Sequence, residues 1–305
     1  MIGEISVQRH ERFSAADRVI SLGFRLNALL MVMKLSAGHF GGSEAVFADG
    51  LESACDFIAI LATMIALRIG RQPYDSRHPY GHGKAESIAA IIVSLVIFAT
   101  GVGILYRAAH TIADGKYEQP QLIAVLAAIV TILIKEGLYH YSMRVGGHLG
   151  SPAVMAIAKD HRKDAITSVA TLVGVTGAFF GVYLMDPLAA GLTAFFIFHI
   201  GYQTFHSAAQ ELMDALPSDE LVNAISVIAE GVEGVEHVHE IRARRAGQYL
   251  IVDLKLEMDP EMTVKRSHAI ATEVKRLIFS QYSNVGDVMI HVNPHDEEHE
   301  DLIRL

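Results

Sequence analysis

Six apolar stretches, separated by short polar segments, fill the first two thirds of the chain. Each is about 20 residues or longer, the length a helix needs to cross the hydrocarbon of a bilayer. The pattern predicts membrane-spanning helices over 16–40, 44–69, 86–110, 122–144, 152–184 and 187–207. Four of these carry polar residues within apolar runs. They are Arg25, Asn27 and Lys34 in the first, Asp49, Glu52 and Asp56 in the second, Lys135 and Glu136 in the fourth, and Asp160 and Asp164 in the fifth. The third and sixth are cleaner, which predicts a polar pathway among the other four.

The last third changes period. Residues 219–231 read as a helix, and 237–245 and 248–258 alternate apolar and polar positions around an Ala246-Gly247 turn, as a hairpin does. Residues 263–281 read as an amphipathic helix with Thr263 as N-cap, and 287–292 as a final strand. The order is αββαβ, and the end from His295 onward reads as frayed. Residues 1–214 are expected to form a six-helix transmembrane domain and 215–305 a smaller α+β domain.

Composition sharpens this division. The chain is 51% hydrophobic and 19% charged over 305 residues, against about 25% charged in soluble domains. Its net charge is −9, and residues 215–305 hold 17 acidic and 9 basic side chains, or −8 of that total. An acidic balance without a basic stripe argues against a nucleic-acid partner. Cys55 is the single cysteine, which excludes an internal disulfide and a cysteine-based zinc module. The start (Glu4, Arg9, His10, Glu11, Arg12) is too polar for a cleavable signal peptide. Arg68, Arg71, Arg77 and Lys84 lie between the second and third spans, Arg9, Arg12 and Arg18 precede the first, and Arg144 closes the fourth. The positive-inside rule then puts both termini in the cytoplasm.

Carboxylates inside apolar helices are costly and are normally kept for function. Glu52 and Asp56 share one helix face at i, i+4, and Asp160 and Asp164 share another. For Asp160 the competing reading is a solvated helix end paired with Lys159, Arg162 or Lys163. For Glu52 and Asp56 no Lys or Arg lies within four residues. Four carboxylates make a hard oxygen site suited to Mg, Ca or Mn rather than Zn or Cu, with Fe(II) as a borderline guest. Asp49, three residues before Glu52, is a supporting candidate on the same face. Cys55 reads as a small packing residue and His161 as an interfacial or supporting residue. In the loop Asp75-Ser-Arg-His-Pro-Tyr-Gly-His82, the side chains of Asp75, His78 and His82 can bind one metal ion, with Pro79, Gly81 and Gly83 turning the backbone. A solvated loop with structural histidines is the alternative.

The phrases Phe47-Ala-Asp-Gly-Leu-Glu-Ser-Ala-Cys-Asp56, His78-Pro-Tyr-Gly-His-Gly-Lys-Ala-Glu86, Lys159-Asp-His-Arg-Lys-Asp164 and Glu211-Leu-Met-Asp214 resemble the cation diffusion facilitator family over nearly the whole chain. The resemblance implies an all-α six-helix transmembrane domain followed by a cytoplasmic, ferredoxin-like or metallochaperone-like α+β domain. It implies a homodimeric, multi-pass membrane protein, in the inner membrane of a bacterium, that is a secondary transporter and not an enzyme. Such a protein exchanges a divalent metal for protons. Carried over by motif, Glu52, Asp56, Asp160 and Asp164 form the transport site, and Asp75, His78 and His82 a loop site. Lys84 and Asp214 form a charge interlock, and His239, Asp253, His268 and His291 a regulatory site in the tail. Acidic residues at both Glu52 and Asp160, where zinc members commonly carry His, resemble the manganese-type branch. Mn²⁺ or Fe²⁺ is therefore expected, with zinc, cobalt or cadmium transport, or a non-transporting metal-sensing scaffold, as alternatives.

Overall fold

The computed structural model describes residues 2–295, with side chains from Asp17 onward. The polar N-terminal side chains and the stretch after His295 therefore lie outside the described residues. Six long helices come first: α1 (Ile2–Phe40), α2 (Glu44–Gly70), α3 (Ala85–Asp114), α4 (Leu122–Leu149), α5 (Pro152–Phe179) and α6 (Met185–Leu212). The tail follows as α7 (Asp219–Glu230), β1 (His237–Ala246), β2 (Tyr249–Met258), α8 (Val264–Gln281) and β3 (Val285–Pro294). Helix α1 starts well before its apolar stretch, since Glu, Gln and Arg propagate a helix nearly as well as leucine. Helix α5 stops at Phe179, short of the expected 184. Gly181 takes φ +102°, and the Val182 N–H bonds back to the Gly177 carbonyl at 2.9 Å, turning the chain.

Five of the six long helices combine the length and apolarity of a membrane span. The exception is α5, whose Lys159, Asp160, Arg162, Lys163 and Asp164 dilute its apolar run. The chain divides into two compact units: Met1–Leu61 with Val93–Gln203, and Ala62–Ile92 with Thr204–Leu305.

In the first unit α1, α4 and α5 pack together. Its burial is inverted relative to a soluble protein. Leu133 and Phe195 are 67% and 65% exposed, while Lys34, Asp49, Thr131, Lys135, His161, Ser168 and Thr171 are buried. That is the arrangement lipid demands, with apolar side chains outward and polar groups kept for the interior. A dry cluster of Ala37, Val46, Ala124, Val125, Ala127, Ala128 and Val175 closes one end of this unit. The helices approach closely there, and a Cβ at Gly38 would overlap the backbone of Phe47, the small-residue contact by which membrane helices associate.

Asp186, at the start of α6, caps α2 from outside. Its carboxylate accepts from the Ser43 hydroxyl at 2.6 Å and from the backbone N–H of Glu44 at 2.5 Å and of Ala45 at 3.4 Å. Ser43 in turn accepts from the Val46 N–H at 3.1 Å. The orphan donors of the α2 N-terminus are thus satisfied by a side chain from another helix.

In the second unit the sheet order is β1-β2-β3, with β1 and β2 antiparallel and β2 and β3 parallel. The parallel pair needs a crossover, which α8 supplies. Leu250, Val252, Leu254, Leu256 and Met258 of β2 face a core shared with Ile225, Val274, Ile278 and Val288. Ser218 and Thr263 cap α7 and α8.

Replacing the external cap tests this account. Asp186→Ala should cost about 2 kcal/mol, the scale of leaving buried donors unpaired. Asp186→Asn should cost less. The unfolding midpoint in detergent, read by thiol-dye labelling of the buried Cys55, measures both, and an unchanged midpoint in Asp186→Ala refutes the cap.

Candidate metal sites

Glu52 and Asp56 project from α2, and Asp160 and Asp164 from α5, all in the first unit. Asp56 and Asp164 lie near enough to interact electrostatically, as do Glu52 and Asp164. Asp56 and Asp160 are exposed and Glu52 and Asp164 half-buried. The four carboxylates do not converge to mutual ligand distance. Among the described residues, only Asp75, His78 and His82 form a group of three or more candidate ligand atoms, all within 4.8 Å of one another.

Cations absent from the local sequence are present in space. Lys34, 2% exposed, donates to the Asp49 carbonyl at 3.0 Å and to Asp49 Oδ1 at 2.9 Å. Ser168 donates to Asp49 Oδ2 at 3.3 Å. Asp49 is therefore held in an ion pair with both carboxylate oxygens engaged. Lys135 donates to Asp164 Oδ2 at 2.6 Å. Both lysines arrive from other helices, Lys34 from α1 and Lys135 from α4. Their presence inside apolar runs was the available signal. His161 is buried against Gly23 of α1, and its Nε2 has no hydrogen-bond partner among the described residues.

In the second unit the loop after α2 is built around Asp75. Its Oδ1 accepts from the backbone N–H of His78 at 2.7 Å and of Arg77 at 2.8 Å, and lies 3.2 Å from His78 Nδ1. Its Oδ2 lies 3.6 Å from His82 Nε2. The two backbone donors, His78 first and then Arg77, hold the Asp75 carboxyl below the usual carboxylate range. Gly81, at φ +79°, makes the turn that returns His82 toward Asp75. One carboxylate and two imidazoles are a mixed N/O donor set that suits Zn, Fe or Mn. The loop continues into Gly83, where a Cβ would overlap the Ala246 carbonyl. Lys84 follows, donating to Asp214 Oδ1 at 2.6 Å and to the Glu211 carbonyl at 2.5 Å. Arg244 also reaches Asp214, at 3.2 Å. Lys84 first, with Arg244 assisting, holds the Asp214 carboxyl below its ordinary value.

The tail differs in detail from expectation. His239 occupies the β-bulge between Val238 and Glu240, and its Nδ1 lies 3.1 Å from Glu257 Oε1. His295 Nδ1 lies 2.9 Å from the other Glu257 oxygen. Those contacts hold the Glu257 carboxyl low, His295 contributing most. Glu257 and His295 were not singled out from sequence, where Glu257 reads as one polar position of an alternating strand. Asp253 pairs with Met289 across the sheet, and His291 pairs with Lys255. His268 stands exposed near the start of α8. No three of His239, Asp253, His268 and His291 come within 4.8 Å of one another in the single chain.

Asp75 is the shared partner of both loop imidazoles, so Asp75→Ala should weaken metal binding at this loop by at least about tenfold. Lowering the pH should release the metal, because protons compete with it for the ligand atoms. Equilibrium dialysis across pH 5 to 8 reads both, and binding that survives Asp75→Ala removes the loop as a site.

Residues 20–213 match the family described as the cation efflux transmembrane domain, and residues 217–295 the cytoplasmic domain of cation efflux proteins. The manganese efflux system protein MneP of Bacillus subtilis is 36% identical over 295 residues, covering 94% of this chain and 99% of that protein. The magnetosome protein MamB of Magnetospirillum gryphiswaldense is 31% identical over 278 residues, covering 91% and 94%. Among solved structures, the manganese form of a MamM C-terminal domain variant is 28% identical, with a TM-score of 0.25, covering 25% of this chain and 98% of that one. The six-helix body and the αββαβ tail, matched over most of their length by both parts of one family, make this chain a member of the cation efflux family, the cation diffusion facilitators: a metal transporter and not an enzyme.

Proposed function

We propose that this protein exports divalent transition-metal cations, Mn²⁺ or Fe²⁺ foremost, from the cytoplasm in exchange for protons. Glu52, Asp56, Asp160 and Asp164 are the transport ligands. The observation that carries the reading is the pairing of two i, i+4 carboxylate sets on α2 and α5, with Asp56 and Asp164 in electrostatic reach and no His or Cys among the four. Oxygen donors favour hard cations, and a relative 36% identical is named a manganese efflux protein.

Residues 1–214 act as the transport domain and 215–305 as a cytoplasmic regulatory and dimerisation domain, in a homodimer with both termini inside. The dry cluster around Ala37, Val46, Ala128 and Val175 seals the bundle at the outer end. Asp56 and Asp160, both exposed, receive metal from the cytoplasm. Rocking of the helices then opens the sealed end, and protons compete for the same carboxylate oxygens and release the cation. The loop site (Asp75, His78, His82) and tail ligands (His239, Asp253, His268, His291) sense metal, and the Lys84–Asp214 pair transmits its effect at the dimer interface.

Two measurements in proteoliposomes test this. Asp56→Ala should abolish metal-driven proton flux, leaving less than about 1% of wild type, since one lost ligand of four removes several kcal/mol of cation binding. Unchanged flux rejects the site. A panel of Mn²⁺, Fe²⁺, Co²⁺, Zn²⁺ and Cd²⁺ under a pH gradient should rank Mn²⁺ or Fe²⁺ first. Zn²⁺ or Cd²⁺ first would assign the zinc-type alternative, and no flux with any of them the non-transporting scaffold.

A further inference from the structure

Two buried lysines meet carboxylates in the first unit, and they are held differently. Lys34 spends two donors on one residue, the carbonyl and Oδ1 of Asp49, and Ser168 holds the remaining Asp49 oxygen. That pair is closed on itself. Lys135 is nearly as buried, its side chain 5% exposed, but it makes a single hydrogen bond among the described residues, at 2.6 Å to Asp164 Oδ2. Its partner is 35% exposed and lies within electrostatic reach of Asp56 and Glu52. An ammonium has three donors, so Lys135 is held at one point, on a residue that is open on its other side.

We propose that Lys135 is a tethered counter-cation. It neutralises part of the carboxylate cluster while no metal is bound, and an entering divalent cation binds by displacing its ammonium from Asp164. This rests on the reading of Glu52, Asp56, Asp160 and Asp164 as the transport ligands.

Charge explains why such a tether is useful. Ionised carboxylates gathered in a low-dielectric bundle repel one another strongly, and each proton or ammonium among them relieves part of that repulsion. A fixed positive group lowers that cost, so the empty carrier can change conformation without bare acids in its interior. The same group sets the selectivity. A monovalent ion offers Asp164 no more charge than the ammonium it must replace, and the ammonium is already in place. A divalent ion brings twice the charge and can be shared by several carboxylates. Lys135 therefore weakens metal binding, and by returning to Asp164 it drives release. The flexible four-carbon stem of lysine lets the head group move aside while remaining charged.

The test compares the full chain in detergent and in proteoliposomes as wild type, Lys135→Met, Lys135→Arg and Asp56→Asn. Mn²⁺ binding is read by calorimetry and turnover by flux. Lys135→Met should bind Mn²⁺ at least about tenfold more tightly, a small part of the repulsion removed with a unit charge a few ångströms away, and should turn over more slowly. Lys135→Arg keeps the charge and should bind no more tightly than wild type. A merely structural lysine would instead lose affinity and turnover together. Equal or weaker binding by Lys135→Met overturns the tether. If Lys135→Met is monodisperse only when Mn²⁺ is present, the metal is replacing the missing cation, as expected. If Mn²⁺ fails to restore it, the proposal falls. Asp56→Asn separates the two layers. Wild-type affinity in that variant defeats the site assignment itself, whereas lost binding there, with unchanged affinity in Lys135→Met, defeats the tether alone.

Discussion

The structure depends on one constraint: a charge removed from water must find a partner, and inside an apolar bundle that partner has to come from another helix. Lys34 and Asp49 satisfy this between α1 and α2, and Lys135 and Asp164 between α4 and α5. Neither pair need add much net stability, since desolvation offsets much of the attraction. What they add is register. Sliding α1 past α2 by one turn would strand two buried ions at once, and sliding α4 past α5 would strand Lys135, far larger penalties than a mismatch between leucines. The apolar surface of the bundle can slip at little cost, and its charged interior cannot.

The same constraint accounts for what was legible in the sequence. Span positions follow from composition, because lipid selects apolar residues one at a time. The tail's αββαβ order follows from alternation and from local signals such as Gly247 in its turn and Thr263 at its cap. The acidic pairs were visible because i, i+4 spacing is a local property of one helix. The cross-helix contacts were not. Nothing near Asp164 in sequence points to Lys135, which is 29 positions away, and nothing near Ser43 points to Asp186, 143 positions away. Those partners are fixed by tertiary packing, which a single sequence does not reveal. Glu257 is a further case, since the bulge at His239 and the return of His295 both had to form before its two oxygens were occupied.

The loop and the tail obey a different rule, since water reaches Asp75 and Asp214. Asp75, Asp214 and Glu257 are each kept ionised by hydrogen bonds from nearby donors. Such carboxylates contribute to folding above the ordinary carboxylate range, and that contribution disappears as the pH falls through their depressed values. At neutral pH all three stay charged, ready for cations or for their present partners. Asp214 also takes a left-handed backbone, φ +57°, tolerable for Asp because its short polar side chain can bond locally.

The external cap on α2 has a mechanical consequence. Because Asp186 grips the first turn of α2, α2 and α6 are pinned together there, and any tilt of α2 relative to α6 turns about that point. With a rise of 1.5 Å per residue, Glu52 sits ~12 Å from Glu44 along the axis and Asp56 ~18 Å. A tilt about the clamped end moves Asp56 about half again as far as Glu52. The two acids of one helix therefore do not travel equally.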